Sequence, residues 1–323
     1  MLEAPLIKYI YCIGGIYLNN IFINKQLFAA YLGMIVSGYS LMDTQDSLVR
    51  DICARLSEID FGKQVHEYFS YAKTNQTAVN PWYPRGSDMA VACFFSDQSE
   101  LLSFLRFCDS PSIEDPDFIA WISQLPSVLN KIFSHEKFEA IWDMYRTELQ
   151  NRYKALPLGI SKLQEQLNHL PFGKDIRILF APNLLQAKYL ADYALAGNTL
   201  YIISGNYIVT AVKHEYLHVV LHEYRPIILD ILRHHSIDEF VVPGKMLSLG
   251  YMRDSSPESK AHALEDCIVR ALCGVLDSDV DQKTYVRMNQ DNGFISVPNM
   301  IHNLQSLSLY EMTPEEIIRK MIG

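Results

Sequence analysis

From Asp43 to about Tyr153 the apolar positions recur at helical spacing. Within Ser47–Phe61, Leu48, Ile52, Leu56 and Ile59 fall three or four residues apart, which predicts an amphipathic helix. Phe118–Phe133 and Phe138–Tyr153 follow the same period. Asn80–Gly86 with its prolines, and the acidic, proline-bearing Asp109–Asp117, read as loops. After Leu170-Pro171-Phe172-Gly173 the period changes. Asp175–Ala181 alternates like a half-buried strand and Asn198–Ser204 like a second. Gly205-Asn206 is a turn, and Tyr207–Tyr224 is one helical run stopped by Pro226. Helices are also expected over Pro226–His234, Pro257–Leu276, Val297–Leu307 and Pro314–Met321. Two of these carry start signals: Ser256 before Pro257-Glu258, and Thr313 before Pro314-Glu315-Glu316. The pattern predicts an α+β chain, mainly helical, with a small sheet running into the Tyr207–Tyr224 helix. It divides into a helical part, 42–170, and a second part, 171–323, that holds the strands. No internal repeat is visible.

The first 41 residues differ from the rest, with only Glu3, Lys8 and Lys25 charged. Tyr9–Leu18 and Leu27–Val36 are apolar, and the second follows Asn24-Lys25 and precedes the small residues Gly38 and Ser40. A basic start, a short apolar core and small residues after it are the build of an export signal. Residues 1–41 are therefore expected to be a signal peptide, or else a membrane anchor or a buried helix. An exported, periplasmic or envelope location follows from the first reading, and membrane association through this segment from the second.

Composition narrows the classes. Apolar residues make up 49% and charged residues 20%, so the chain can bury a substantial core and is not of a disordered type. A formal net charge of −9 without a basic run argues against a nucleic-acid partner. The six cysteines are scattered and form no CxxC pair, which excludes a disulfide scaffold or a thiolate zinc site.

The chemistry lies in His214-Glu215-Tyr216-Leu217-His218. Two histidines four apart project from one helix face and can share one tetrahedral Zn²⁺, leaving a position for water. Glu215 adjoins the first of them and can take the proton of that water as it attacks a carbonyl. A continuation to HExxHxxGxxH is ruled out, because Leu221 and Tyr224 stand at the Gly and His positions. His222 lies a turn further along and is too distant to close the same site. The third ligand is expected from the Pro257–Leu276 helix. Glu265 is the leading candidate there, an acid in an otherwise apolar run, ahead of His262 and Asp266. Glu258 is better explained by the helix dipole. Arg270, Tyr285, His302 and Tyr310 are candidates for stabilising an oxyanion. Arg270 leads them, as catalytic residue or as the group that orients the ligating carboxylate.

An HEYLH helix followed by a helix carrying Glu265, Val269, Arg270 and Ala271 resembles the gluzincin zinc metallopeptidases. More closely, the chain is similar to a family of bacterial, mostly exported proteins catalogued as domain of unknown function 4932. The likeness takes in Lys131–Tyr153 and Asn292-Gly293-Phe294-Ile295. It implies a zincin-like fold, zinc held by His214, His218 and Glu265, and a peptide or protein substrate cut with Glu215 as general base. A non-catalytic, metal-stabilised envelope protein and a zinc amidohydrolase acting on a non-peptide amide are the alternatives.

Overall fold

The computed structural model describes residues 15–73, 80–154, 156–188, 190–206, 209–276 and 281–323. It is an α+β protein, mainly helical, with one small mixed sheet of five strands. Its chain falls into two compact units, one built from 1–76, 80–164 and 176–207 and the other from 77–79, 165–175 and 208–323.

The first unit holds all five strands: β1 (Gly15–Leu18), β2 (Ile21–Asn24), β3 (Arg177–Pro182), β4 (Ala191–Ala196) and β5 (Thr199–Ser204). Their order is β1-β2-β3-β5-β4. The hairpin β1-β2 and the pair β4-β5 are antiparallel, while β3 runs parallel to both β2 and β5. Asn19, at φ 54°, makes the hairpin turn, a conformation Asn tolerates better than most residues. The central strands are apolar on both faces, as parallel strands covered by helices require.

Nine helices are described in this part of the chain. They are α1 (Lys25–Val36), α2 (Ser47–Leu56), α3 (Lys63–Ser70), α4 (Arg85–Ala92), α5 (Gln98–Phe107), α6 (Pro116–Ile122), α7 (Leu125–Phe133), α8 (Phe138–Tyr153) and α9 (Pro157–Asn168). The run read as an export-signal core is the body of α1. Leu27 to Met34 are all buried there, and Phe28 stacks on Tyr145 of α8 with centroids 4.3 Å apart. Asn24 starts this helix: its Oδ1 accepts from Leu27 N–H, and its Nδ2 donates to the Cys93 carbonyl. A division at 170/171 would separate β3–β5 from β2, but β3 pairs with β2 and belongs with the first unit.

The second unit has helices and no strand among its described residues: α10 (Val209–Leu221), α11 (Arg225–His234), α12 (Pro243–Leu249), α13 (Pro257–Leu276), α14 (Gln282–Asp291), α15 (Val297–Gln305) and α16 (Pro314–Ile322). α13, with 20 residues, is its centre and packs against α10, α11, α14 and α15. Ser256 Oγ accepts from Ser259 N–H at the start of α13, and Thr313 with Glu316 forms a capping box on α16. No described helix is long and apolar enough to cross a membrane.

Candidate metal centre

The motif helix α10 is fixed to its own unit from two sides. Tyr216 is fully buried; its hydroxyl accepts from Lys174 N–H at 2.8 Å and lies 3.3 Å from the Lys174 carbonyl. Lys213, three residues earlier, is also buried and donates to the Leu276 carbonyl at 2.9 Å. A cation at the C-terminal end of α13 satisfies a carbonyl the helix leaves without a partner. These anchors set the rotation of α10, so that its histidines face α13.

Along that face His214 Nε2 and His218 Nε2 stand 3.2 Å apart. Asp266 Oδ1, from α13, is 3.3 Å from the first and 3.6 Å from the second. His214, His218 and Asp266 are the one group of three among the described residues whose ligand atoms could share a metal ion. Ligands about 2.0–2.1 Å from a tetrahedral ion lie about 3.3–3.4 Å from one another, whereas octahedral neighbours lie at about 3.0 Å. The three edges fit the tetrahedral spacing better. Asp266 Oδ1 is buried and accepts no hydrogen bond of regular geometry. A buried carboxylate oxygen that faces two imidazole nitrogens without a hydrogen bond of regular geometry matches what a cation would need.

Glu265 stands elsewhere. Its Oε1 lies 2.8 Å from His218 Nδ1, the nitrogen on the far side of the ring from Nε2. An ionised carboxylate only accepts, so Nδ1 carries the hydrogen and Nε2 is left for the Asp266 side. The sequence expectation of Glu265 as third ligand is therefore not what the geometry brings together; Asp266 takes that place. Adjacent residues on a helix are turned about 100° apart, so only one of the two can face α10 squarely.

Of the two roles expected for Arg270, a catalytic one or the orienting of a carboxylate, its contacts fit the second. Its Nε donates to Asp266 Oδ2 at 3.1 Å and its Nη1 to Asn289 Oδ1 at 3.0 Å. It lies 4.1 Å from the Phe294 ring centroid and 5.3 Å from that of Tyr251. Asn289 is fully buried and donates to the Tyr285 carbonyl, and the Tyr285 hydroxyl donates to the Arg270 carbonyl. Tyr285 is thus a support of Arg270. His302 lines a groove with Gln282, Lys283 and Arg287 that includes none of the cluster. Tyr310 is 68% exposed. Nearer the cluster is His262, an exposed residue on α13 whose ring stacks on that of His218 at 6.0 Å. Glu215 is buried on α10 next to His214.

The electrostatics follow the geometry. Burial lowers His214 to about 4, so it is neutral at pH 7. Burial also pushes His218 down, but Asp266 and Glu265 overcome this and raise it to about 10. Asp266 is held well below the usual carboxylate range, against its burial, by Arg270 and the two histidines. Glu265 is lowered by His218 in spite of burial. Both acids are therefore ionised in a low-dielectric setting, which is tolerated only where cations face them.

No family model matches this chain, and neither does any curated protein or solved structure. The site rests on its own residues. In the sequence Asp266 ranks behind Glu265, although a signal for it is present. Arg270 lies four residues after Asp266 and five after Glu265, and the helical i,i+4 spacing favours Asp266 as its partner.

Proposed function

We propose that the chain is a zinc-dependent hydrolase of peptide or related amide bonds, with the metal held by His214, His218 and Asp266. The observation that supports this most is the triangle of ligand atoms, with edges of 3.2, 3.3 and 3.6 Å, formed by the HExxH helix and a buried carboxylate. An ion bound there would polarise a carbonyl and bring the pKa of a water toward about 7. His214 contributes a neutral imidazole without first losing a proton. Glu215, beside it on α10, takes the proton of the attacking water and passes it to the departing nitrogen. With Asp266 as third ligand, the site would differ from the gluzincin pattern, in which a glutamate holds that place.

The test is a Glu215→Gln protein, assayed against a peptide library and against cell-wall amides with metal content measured in parallel. The expected result is unchanged zinc stoichiometry with kcat lowered roughly 10²- to 10⁴-fold. A Glu215→Gln protein as active as the parent would sink the hydrolytic reading. Zinc retained by a parent inactive on both substrate sets would favour a structural metal instead.

A further inference from the structure

We infer that Glu265 and Arg270 are positioning residues that hold the metal cradle from outside, one through His218 and the other through Asp266. This rests on the metal reading of the cluster and assigns the two charged residues that the ligand set leaves over.

An imidazole binds a metal well only when the correct nitrogen is free and the ring is aimed. Glu265 Oε1, 2.8 Å from Nδ1, holds a hydrogen on that side and leaves Nε2 as the nitrogen turned toward His214 and Asp266, where a metal ion would take the place of its proton. Glu265 is 3% exposed, so water competes little for Nδ1. Its position also bars it from ligation through Oε1, because the two ring nitrogens of His218 point in divergent directions.

Asp266 presents a parallel case. A carboxylate offers two oxygens, and a four-coordinate site with an open position is best served by one. Arg270 Nε takes Oδ2 at 3.1 Å, which leaves Oδ1 for the Nε2 pair. The guanidinium is held in turn by Asn289 and by the faces of Phe294 and Tyr251. A chain of contacts thus runs from α14 through Arg270 to one oxygen atom. Neither Glu265 nor Arg270 needs to touch substrate for this role.

The experiment is a zinc-affinity titration of the full chain by chelator competition, with Co²⁺ absorption as an independent report on the ligand set. The variants are Glu265→Gln, Glu265→Ala, Asp266→Asn and Arg270→Lys, with circular dichroism as a folding check. Glu265→Gln keeps an acceptor for Nδ1–H, so its affinity should stay within a few-fold of the parent and its Co²⁺ spectrum should not change. Glu265→Ala should lose about 10- to 100-fold, the effect expected of a group that orients a ligand. Arg270→Lys should lose affinity in the same range with the Co²⁺ spectrum retained. Asp266→Asn should lose more than any of these and shift the Co²⁺ bands. Should Glu265→Ala fail to fold, Glu265→Gln decides against ligation and Glu265→Leu, which removes the acceptor at similar size, should show the same loss of about 10- to 100-fold. A Gln variant with a changed Co²⁺ spectrum would make Glu265 a ligand and overturn the inference. Full affinity in both Glu265→Ala and Arg270→Lys would overturn it as well. A parent chain that binds no zinc would instead overturn the proposed function.

Discussion

Asp88 on α4 and Asp192 on β4 are both pushed up to about 6, first of all by burial. Ser110 Oγ donates to Asp88 at 2.7 Å and Gln186 Nε2 to Asp192 at 2.6 Å, which recovers part of the cost of ionising them. A folded value above the unfolded one, 3.8, means that the native state binds more protons between those two pH values. The contribution of each group to stability is therefore fully present below pH 4 and is lost as pH rises through about 6. Asp88→Asn should stabilise the protein at pH 7.5, on the order of 1–2 kcal/mol, with the gain vanishing at pH 4. Urea unfolding of both proteins at the two pH values checks this, and a pH-independent difference would contradict it. At the same scale, His214, Glu215 and His218 were legible because their spacing is itself the chemistry. The choice between Glu265 and Asp266 was not, since it turns on the rotation of α13 about its axis. That rotation is set by packing against α10, α11, α14 and α15, contacts that local sequence does not specify.

Among the elements, long periodic runs were read well and short ones poorly. Phe138–Tyr153 and Pro257–Leu276 are helices over the expected residues. The expected Phe118–Phe133 helix is two, α6 and α7, interrupted around Ser123-Gln124 just before Pro126. β3 and β5 lie where strands were expected but are buried on both faces instead of alternating, whereas β1 and β2, four residues each, are too short to show a period. α1 owes its place to tertiary packing. Gly33 lies so close to α3 that a Cβ there would fall 2.1 Å from the Phe69 ring, and Phe69 is fully buried. Gly33→Ala should therefore destabilise by about 1–3 kcal/mol through overpacking, although alanine is the better helix former. A denaturant midpoint equal to or above that of the parent would show that the two helices can separate without cost.

For the whole molecule, composition and periodicity established an α+β, mainly helical chain with a small sheet. They did not establish how the strands are shared out. The pairing of β2 with β3 joins residues about 160 positions apart in sequence, a non-local contact with no local signature. The group formed by His214, His218 and Asp266 is non-local too, since it comes together only where α10 meets α13. What occupies that meeting point decides the proposed function. The most direct measurement is an anomalous difference map at the zinc edge from crystals of the full chain grown with zinc. One peak is expected about 2.0–2.2 Å from His214 Nε2, His218 Nε2 and Asp266 Oδ1, with Glu265 on His218 Nδ1. No peak there, or a peak ligated by Glu265 with Asp266 turned away, would contradict that ligand set.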